Sequence, residues 1–213
     1  MTLNMKHLAL STGLSVLAAL PGFADAATES YVAKNANEAL VALNDPQLTS
    51  TERRAEFQNL MNQFTDMDRV SRFVLGKYAN RFSESEMNAY NAAYRRYALA
   101  TYEAQLDQYR GEEIVVTGSV DRSENDSIVE TVIKRPSGDL PVKWRVMKVD
   151  PDASAPYQVV DVALELDGNL LWLALEQRAQ FLSLLDRTNG RADALIEKID
   201  EMTERLESQA QAQ

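Results

Sequence analysis

The sequence predicts an α+β domain: a four-stranded antiparallel sheet with several helices packed on one of its faces. Three observations carry this. Apolar residues recur at spacings of three and four up to about residue 111, the period then drops to two, and after residue 168 the helical spacing returns. Turn-forming clusters separate the period-two runs by short links, which favours an antiparallel meander. No long linker, repeat or basic tract divides the chain, so one domain suffices.

The opening segment stands apart. Lys6 and His7 precede the short apolar run LALSTGLSVLAAL, and Ala24-Asp25-Ala26 is a small-residue cleavage site. Residues 1–26 therefore read as a secretory signal peptide and 27–213 as the single mature domain. The run is shorter than the roughly 20 residues that span a bilayer, and Ser11, Thr12 and Ser15 interrupt it. No cysteine lies at the cut to carry a lipid.

The first helix is expected over Thr28–Leu43, with Val32, Ala36, Ala39, Leu40 and Leu43 on one face, stopped by Pro46. Thr49 and Glu52 form a capping box for a second helix bearing Phe57, Leu60, Met61 and Phe64. A third short helix fits Asp66 to about Lys77, with Met67, Val70, Phe73 and Val74 inward and Gly76 near its end. Ser83 and Glu86 repeat the capping box, opening a fourth helix that runs to Gly111, roughly 40 Å long at ~1.5 Å per residue. Its Tyr90, Tyr94 and Tyr97 form a stripe, widened by Leu99, Tyr102, Leu106 and Tyr109. These rings read either as core with hydroxyls reaching water or as the wall of a ligand cavity.

Four strands follow. EIVVTGSV places Ile114, Val116 and Val120 on one face, and SIVETVIKR sets Val129, Thr131 and Ile133 against Glu130, Val132 and Lys134. VKWRVMKV sets Val142, Trp144 and Val146 against Lys143 and Arg145, and YQVVDVALEL sets Val160, Val162 and Leu164 against Asp161 and Glu165. SEND, PSGD and DPDASAP supply the turns. After Asp167-Gly168 a helix carrying Leu170, Leu171, Trp172, Leu175, Phe181, Leu182 and Leu185 is expected, ending at Asn189-Gly190. The last helix bears Leu195, Ile196, Ile199, Met202 and Leu206.

Composition narrows the chemistry. With 213 residues, 45% hydrophobic and 25% charged, the chain can bury a sizeable core. Removing residues 1–26 takes away Lys6 and Asp25 together, so the net charge stays at −10. A nucleic-acid partner is not expected from a chain without a basic footprint, and passive adhesion to anionic membranes is disfavoured. The sequence has no cysteine, and its single histidine, His7, lies in the segment to be removed. Ser-His-Asp and Cys-His catalysis, imidazole or thiolate zinc sites, disulfides and haem held by His or Cys are thereby excluded from the mature chain. Asp161 and Glu165 lie about 13 Å apart along one strand face, wider than glycosidase carboxylate pairs, and read as a solvated face. DRSEND and DPD lack the spacing of a calcium loop. Lys77, Lys143 and Arg145 read as solvated charges or as partners for a phosphate headgroup. No catalytic residue, metal ligand or cofactor is assigned.

FVLGKY, set just before the capped aromatic segment SESEMNAYNAAYRRYALATYEAQLDQYRGEEIVV, is the most specific phrase in the chain. With KWRV and YQVVDV in the sheet, then QRAQFLSLL and TNGRADALIEKI, it resembles the MlaC, or toluene-tolerance, family from about Asp66 to Ile199. The resemblance implies a periplasmic carrier that holds phospholipid acyl chains between helices and a curved sheet. Such a carrier passes lipid between an inner-membrane ABC transporter complex and an outer-membrane lipoprotein complex. It further implies that Val74, Leu75, Tyr78 and Phe82 face the lipid cavity or its rim. The expected lipid-binding set continues with Tyr94, Tyr97, Phe181 and Trp172 from the helices and Val116, Ile133, Trp144, Val146, Val160 and Val162 from the sheet. ELDGNLLW, residues 165–172, replaces the turn usual in the family, and a hopanoid-associated branch is similar, so phospholipid and hopanoid both stand as cargo. A non-catalytic interaction module is the other reading, and it predicts a filled core with no void beneath the sheet.

Overall fold

The computed structural model describes residues 26–109, 113–149, 156–166 and 168–211. All of the expected signal peptide except its last residue, Ala26, lies outside them, as do the helix end at Gly111 and most of DPDASAP. Helices α1 (Ala26–Asn44), α2 (Ser50–Phe64), α3 (Met67–Leu75) and α4 (Glu84–Tyr109) come first, with a short 3₁₀ helix at Gly76–Asn80 between α3 and α4. Strands β1 (Glu113–Ser123), β2 (Asp126–Lys134), β3 (Leu140–Lys148), β4 (Tyr157–Leu166) and β5 (Asn169–Trp172) precede α5 (Leu173–Arg187) and α6 (Ala192–Gln211). The strands are antiparallel in the order β1-β2-β3-β4-β5.

Both capping boxes form. The Thr49 hydroxyl accepts from the Glu52 amide while the Glu52 carboxylate accepts from the Thr49 amide at 2.9 Å. Ser83 and Glu86 exchange the same pair of bonds, so the first orphan amides of two helices are satisfied locally. At the end of α3, Gly76 adopts φ 54 and its amide reaches back to Arg72 and Phe73, which breaks the α-helix and starts the 3₁₀ turn.

The sheet has five strands, not four. Asn169, Leu170, Leu171 and Trp172, expected as the first turn of a helix, instead pair with β4, Leu166 opposite Asn169 and Ala163 opposite Trp172. Two residues separate Leu166 from Asn169, and Gly168 sits at φ 78, so the link between β4 and β5 is a hairpin rather than a helix start. Two register shifts move single side chains. Val116 pairs with Thr131 and Gly118 with Glu130, so the extra residue inverts the alternation of β1 and leaves Val120 57% exposed where it was expected inward. In β4, Arg145 pairs with Asp161 and Val146 with Val159, and the additional Val160 joins a different core from Val162. Phe73 is the corresponding correction in α3: it is 36% exposed, under the guanidinium of Arg178, rather than inward.

Two apolar cores result. The first lies between α1, α2 and the inner face of β1–β4 and includes Leu40, Phe57, Phe64, Val129, Val142 and Leu164. The second joins α3, the 3₁₀ turn, α4, α5 and α6 around Leu75, Tyr90, Tyr94, Phe181, Leu185 and Ile199. Each fully buried apolar side chain contributes about 1.5–3 kcal/mol. Asp161, expected on a solvated face, is only 7% exposed. Its Oδ1 accepts from the Val162 and Ala174 amides, both at 2.9 Å, so this strand carboxylate caps α5, whose own N-cap Trp172 offers no side-chain acceptor. Burial raises its pKa above the carboxylate norm, and these amide donors oppose the rise.

Candidate functional site

The first core is not filled. Beneath the sheet lies a partly enclosed apolar chamber with a cavity volume of about 90 Å³. The spacing of α1 turns Ala36, Ala39, Leu40 and Leu43 to one side of it, and α2 contributes Phe57, Met61 and Phe64. Alternation along β1–β4 supplies the floor, Ile114, Ile133, Val142, Trp144, Val162 and Leu164, and Leu173 at the start of α5 closes one end. Two alanines on the helical side, where the surrounding stripe is otherwise large, help to leave the gap.

The polar groups of Trp144, Thr131 and Tyr31 beside the chamber are bonded to protein partners. Trp144 Nε1–H donates to Thr131 Oγ1 at 2.8 Å, and that hydroxyl donates on to the Val142 carbonyl at 3.1 Å. The Tyr31 hydroxyl donates to the Phe64 carbonyl at 3.1 Å, and burial pushes its pKa up to about 12. The rings of Tyr31, Phe64 and Trp144 form a contiguous aromatic run, with Tyr31 to Phe64 at 5.6 Å and Phe64 to Trp144 at 5.5 Å. A chamber so lined has nothing to offer a polar solute and a continuous dispersion surface for a hydrocarbon.

Of the residues expected at the site, Ile133, Trp144 and Val162 meet at this chamber. Val146 belongs to the same core without bordering the void, and Val116 packs half-buried against that core. Trp172 is half-buried on β5. Val74, Leu75, Tyr78, Phe82, Tyr94, Tyr97, Val160 and Phe181 lie together in or against the second core. There the aromatic rings pack on one another: Phe82 on Tyr90, Tyr90 on Tyr94 at 5.7 Å, and Tyr94 and Tyr97 on Phe181. Their hydroxyls are satisfied, Tyr90 donating to the Ser71 carbonyl and Tyr94 to Gln177 Oε1, as suits core rings. Burial raises the pKa of both Tyr90 and Tyr97.

FVLGKY itself is a clasp. The Tyr78 hydroxyl donates to Asp186 Oδ1 at 2.7 Å, and Lys77 Nζ meets the same oxygen at 2.7 Å. A Cβ on Gly190 would stand 2.7 Å from Tyr78 Cε1, so the glycine admits the ring to the α5–α6 turn. Lys143 and Arg145 are also held, by Glu130 and by Asp126 respectively, on the strand face away from Trp144.

The residues of α1 and α2 were legible as a helical stripe but not as a wall. An apolar stripe over a void and one over a packed core have the same spacing; the alanines at 36 and 39 are the one signal that distinguishes this stripe.

An α+β shell over an apolar chamber defines a protein suited to accept an apolar ligand. The chain belongs to the MlaC family: the family model described as MlaC protein matches residues 33–201, reaching upstream of FVLGKY into α1. The fold is similar to that of a phospholipid-binding protein from Ralstonia solanacearum, solved in complex with a phospholipid, with a TM-score of 0.70 and 16% identity over 84% of this chain and 97% of that one. No curated protein sequence matches. Among the described residues, no helix is long and apolar enough to cross a membrane.

Proposed function

We propose that the protein is a periplasmic lipid carrier, without catalytic activity, that holds phospholipid acyl chains in the chamber between α1, α2 and the sheet. The observation that carries this is the void itself: about 90 Å³ beneath the sheet, lined wholly by apolar side chains such as Leu40, Phe57, Met61, Phe64, Trp144 and Val162, with the Trp144 and Tyr31 polar groups bonded to protein partners. A plain interaction module would have a filled core there. Membership in the MlaC family and the phospholipid complex of the Ralstonia solanacearum protein support the same reading.

Physical limits then set the mode of action. Two acyl tails with about 30 methylenes, at ~0.8 kcal/mol each, represent roughly 24 kcal/mol of transfer from water, beyond the practical ceiling of non-covalent affinity. Lipid therefore does not leave the chamber into water; it leaves when a docked partner offers an equally apolar path. In this reading the chain is exported by a cleaved signal peptide, residues 1–26, and exchanges lipid with an inner-membrane ABC transporter complex and an outer-membrane lipoprotein complex. Native mass spectrometry of the protein purified without detergent, followed by organic extraction, tests the proposal. A stoichiometric phospholipid adduct is expected, and a hopanoid adduct would reassign the cargo within the same chamber. A clean unliganded mass after gentle handling would return the protein to the interaction-module reading.

A further inference from the structure

Charge on this chain is segregated, which its net charge of −10 conceals. The sequence of α6 carries Asp193, Glu197, Asp200, Glu201, Glu204 and Glu207 against only Lys198 and Arg205. Where α3, the 3₁₀ turn and α5 meet, the balance reverses. Arg69, Arg72 and Phe73 share one side of α3 at helical spacing, and Arg178 of α5 lays its guanidinium 4.9 Å from the Phe73 ring centre and donates to the Phe73 carbonyl. Lys77 and Arg81 flank the Tyr78 ring at 5.2 and 5.1 Å. One turn before Arg178, Leu175 is 54% exposed.

Acidic groups near this face are already engaged in part: Asp66 with Arg69, and Asp186 with Lys77 and Tyr78, while Glu176 accepts from Gln180. Arg72 and Arg178 form no ion pair with a carboxylate among the described residues, and Arg81 lies within electrostatic reach of Asp186 without an ion pair to it. Two of these guanidinium groups are held against rings, so they are oriented before any partner arrives and lose less freedom on binding.

Resting on the carrier reading, we infer that this α3–α5 face is the docking surface for an acidic protein partner, whose carboxylates meet Arg72, Arg81 and Arg178 around the exposed Phe73 and Leu175. Oriented guanidinium groups beside apolar side chains match carboxylates bidentately and are the residue types that dominate protein interfaces. A bilayer fits less well. The Phe73 ring is capped by Arg178 rather than free to insert, and the surplus acidity of the chain opposes approach to an anionic membrane.

The test uses fluorescence anisotropy of the full chain with a fluorescein-labelled peptide in which Glu and Asp alternate with Leu, beside its Gln/Asn counterpart. Binding of the acidic peptide is expected to weaken about tenfold between roughly 50 and 500 mM salt, and the neutral peptide to bind about tenfold more weakly. Arg72→Glu with Arg178→Glu is expected to abolish binding, while Glu197→Lys with Glu204→Lys on α6 leaves it intact. Because Arg178 also braces Phe73, Arg72→Gln with Arg81→Gln gives the same test without that contact and is expected to weaken binding about tenfold. Lipid mass, read separately, is expected to be unchanged in every variant, so loss of the chamber's cargo and loss of docking are distinguished. Peptide binding indifferent to these substitutions overturns the inference. So does charge-reversal-sensitive sedimentation with phosphatidylcholine vesicles containing phosphatidylglycerol in the absence of peptide binding, which would assign the face to membrane.

Discussion

Ala36→Phe separates a void from a packed core by the sign of its effect. Ala36 is buried in α1 and borders the chamber beneath the sheet. In a filled core the added ring would force neighbours apart and cost about 1–3 kcal/mol. Into existing empty space it buries apolar surface, and cavity-filling substitutions commonly stabilise by about 0.5–2 kcal/mol. For a domain of this size, at ~2–4 °C per kcal/mol, the lipid-free variant is expected to melt roughly 1–8 °C higher than the lipid-free parent, not roughly 2–12 °C lower. The ring occupies space that the acyl chain needs, so native mass spectra of the variant are expected to lack the adduct. Adding lipid should raise the melting temperature of the parent but not of the variant. A destabilised variant that still carries its full complement of lipid would refute the placement of cargo in this chamber.

Three further outcomes follow from the second core and its clasp. Leu75→Ala, at a fully buried position away from the chamber, is expected to lower stability by about 2–5 kcal/mol in urea titrations while the folded fraction keeps its lipid. Gly190→Ala places a Cβ against Tyr78 at a backbone φ of 77, and a loss of more than about 1 kcal/mol is expected, with perturbation of the Tyr78–Asp186 bond visible by NMR. Lys77, and then Tyr78, hold the Asp186 carboxyl below the ordinary carboxylate range. A depressed folded-state pKa stabilises above the unfolded value and is lost as pH falls through the folded value, so urea midpoints should drop through the acid range. Asp186→Asn should remove that part of the drop, and an unchanged pH profile would count against the clasp.

Much of this architecture is legible before any coordinates. Capping boxes at Thr49 and Ser83 mark two helix starts because the bonds they make are local, and β2 and β3 follow their alternation throughout. Misreadings cluster where one residue changes parity or where local and tertiary signals compete. The bulge after Val116 turns Val120 outward, and Val160 leaves the face of Val162 through a register shift that no single-strand pattern encodes. NLLW has helical composition, yet the turn at Gly168 and the free edge of β4 make it a strand. The aromatic stripe of α4 was ambiguous for a different reason: buried tyrosines look alike in sequence whether they face a ligand or each other. The structure sets Tyr90, Tyr94 and Tyr97 among themselves and Phe181, and leaves the void to the plainer stripes of α1 and α2.

The most direct measurement is photo-crosslinking with a phospholipid bearing a diazirine near the end of one acyl chain, followed by peptide mapping of the adducts. Adducts on Phe57, Met61 or Trp144 are expected, because these side chains line the chamber. Adducts confined to Tyr94, Tyr97 and Phe181 would place the lipid in the second core and contradict the account.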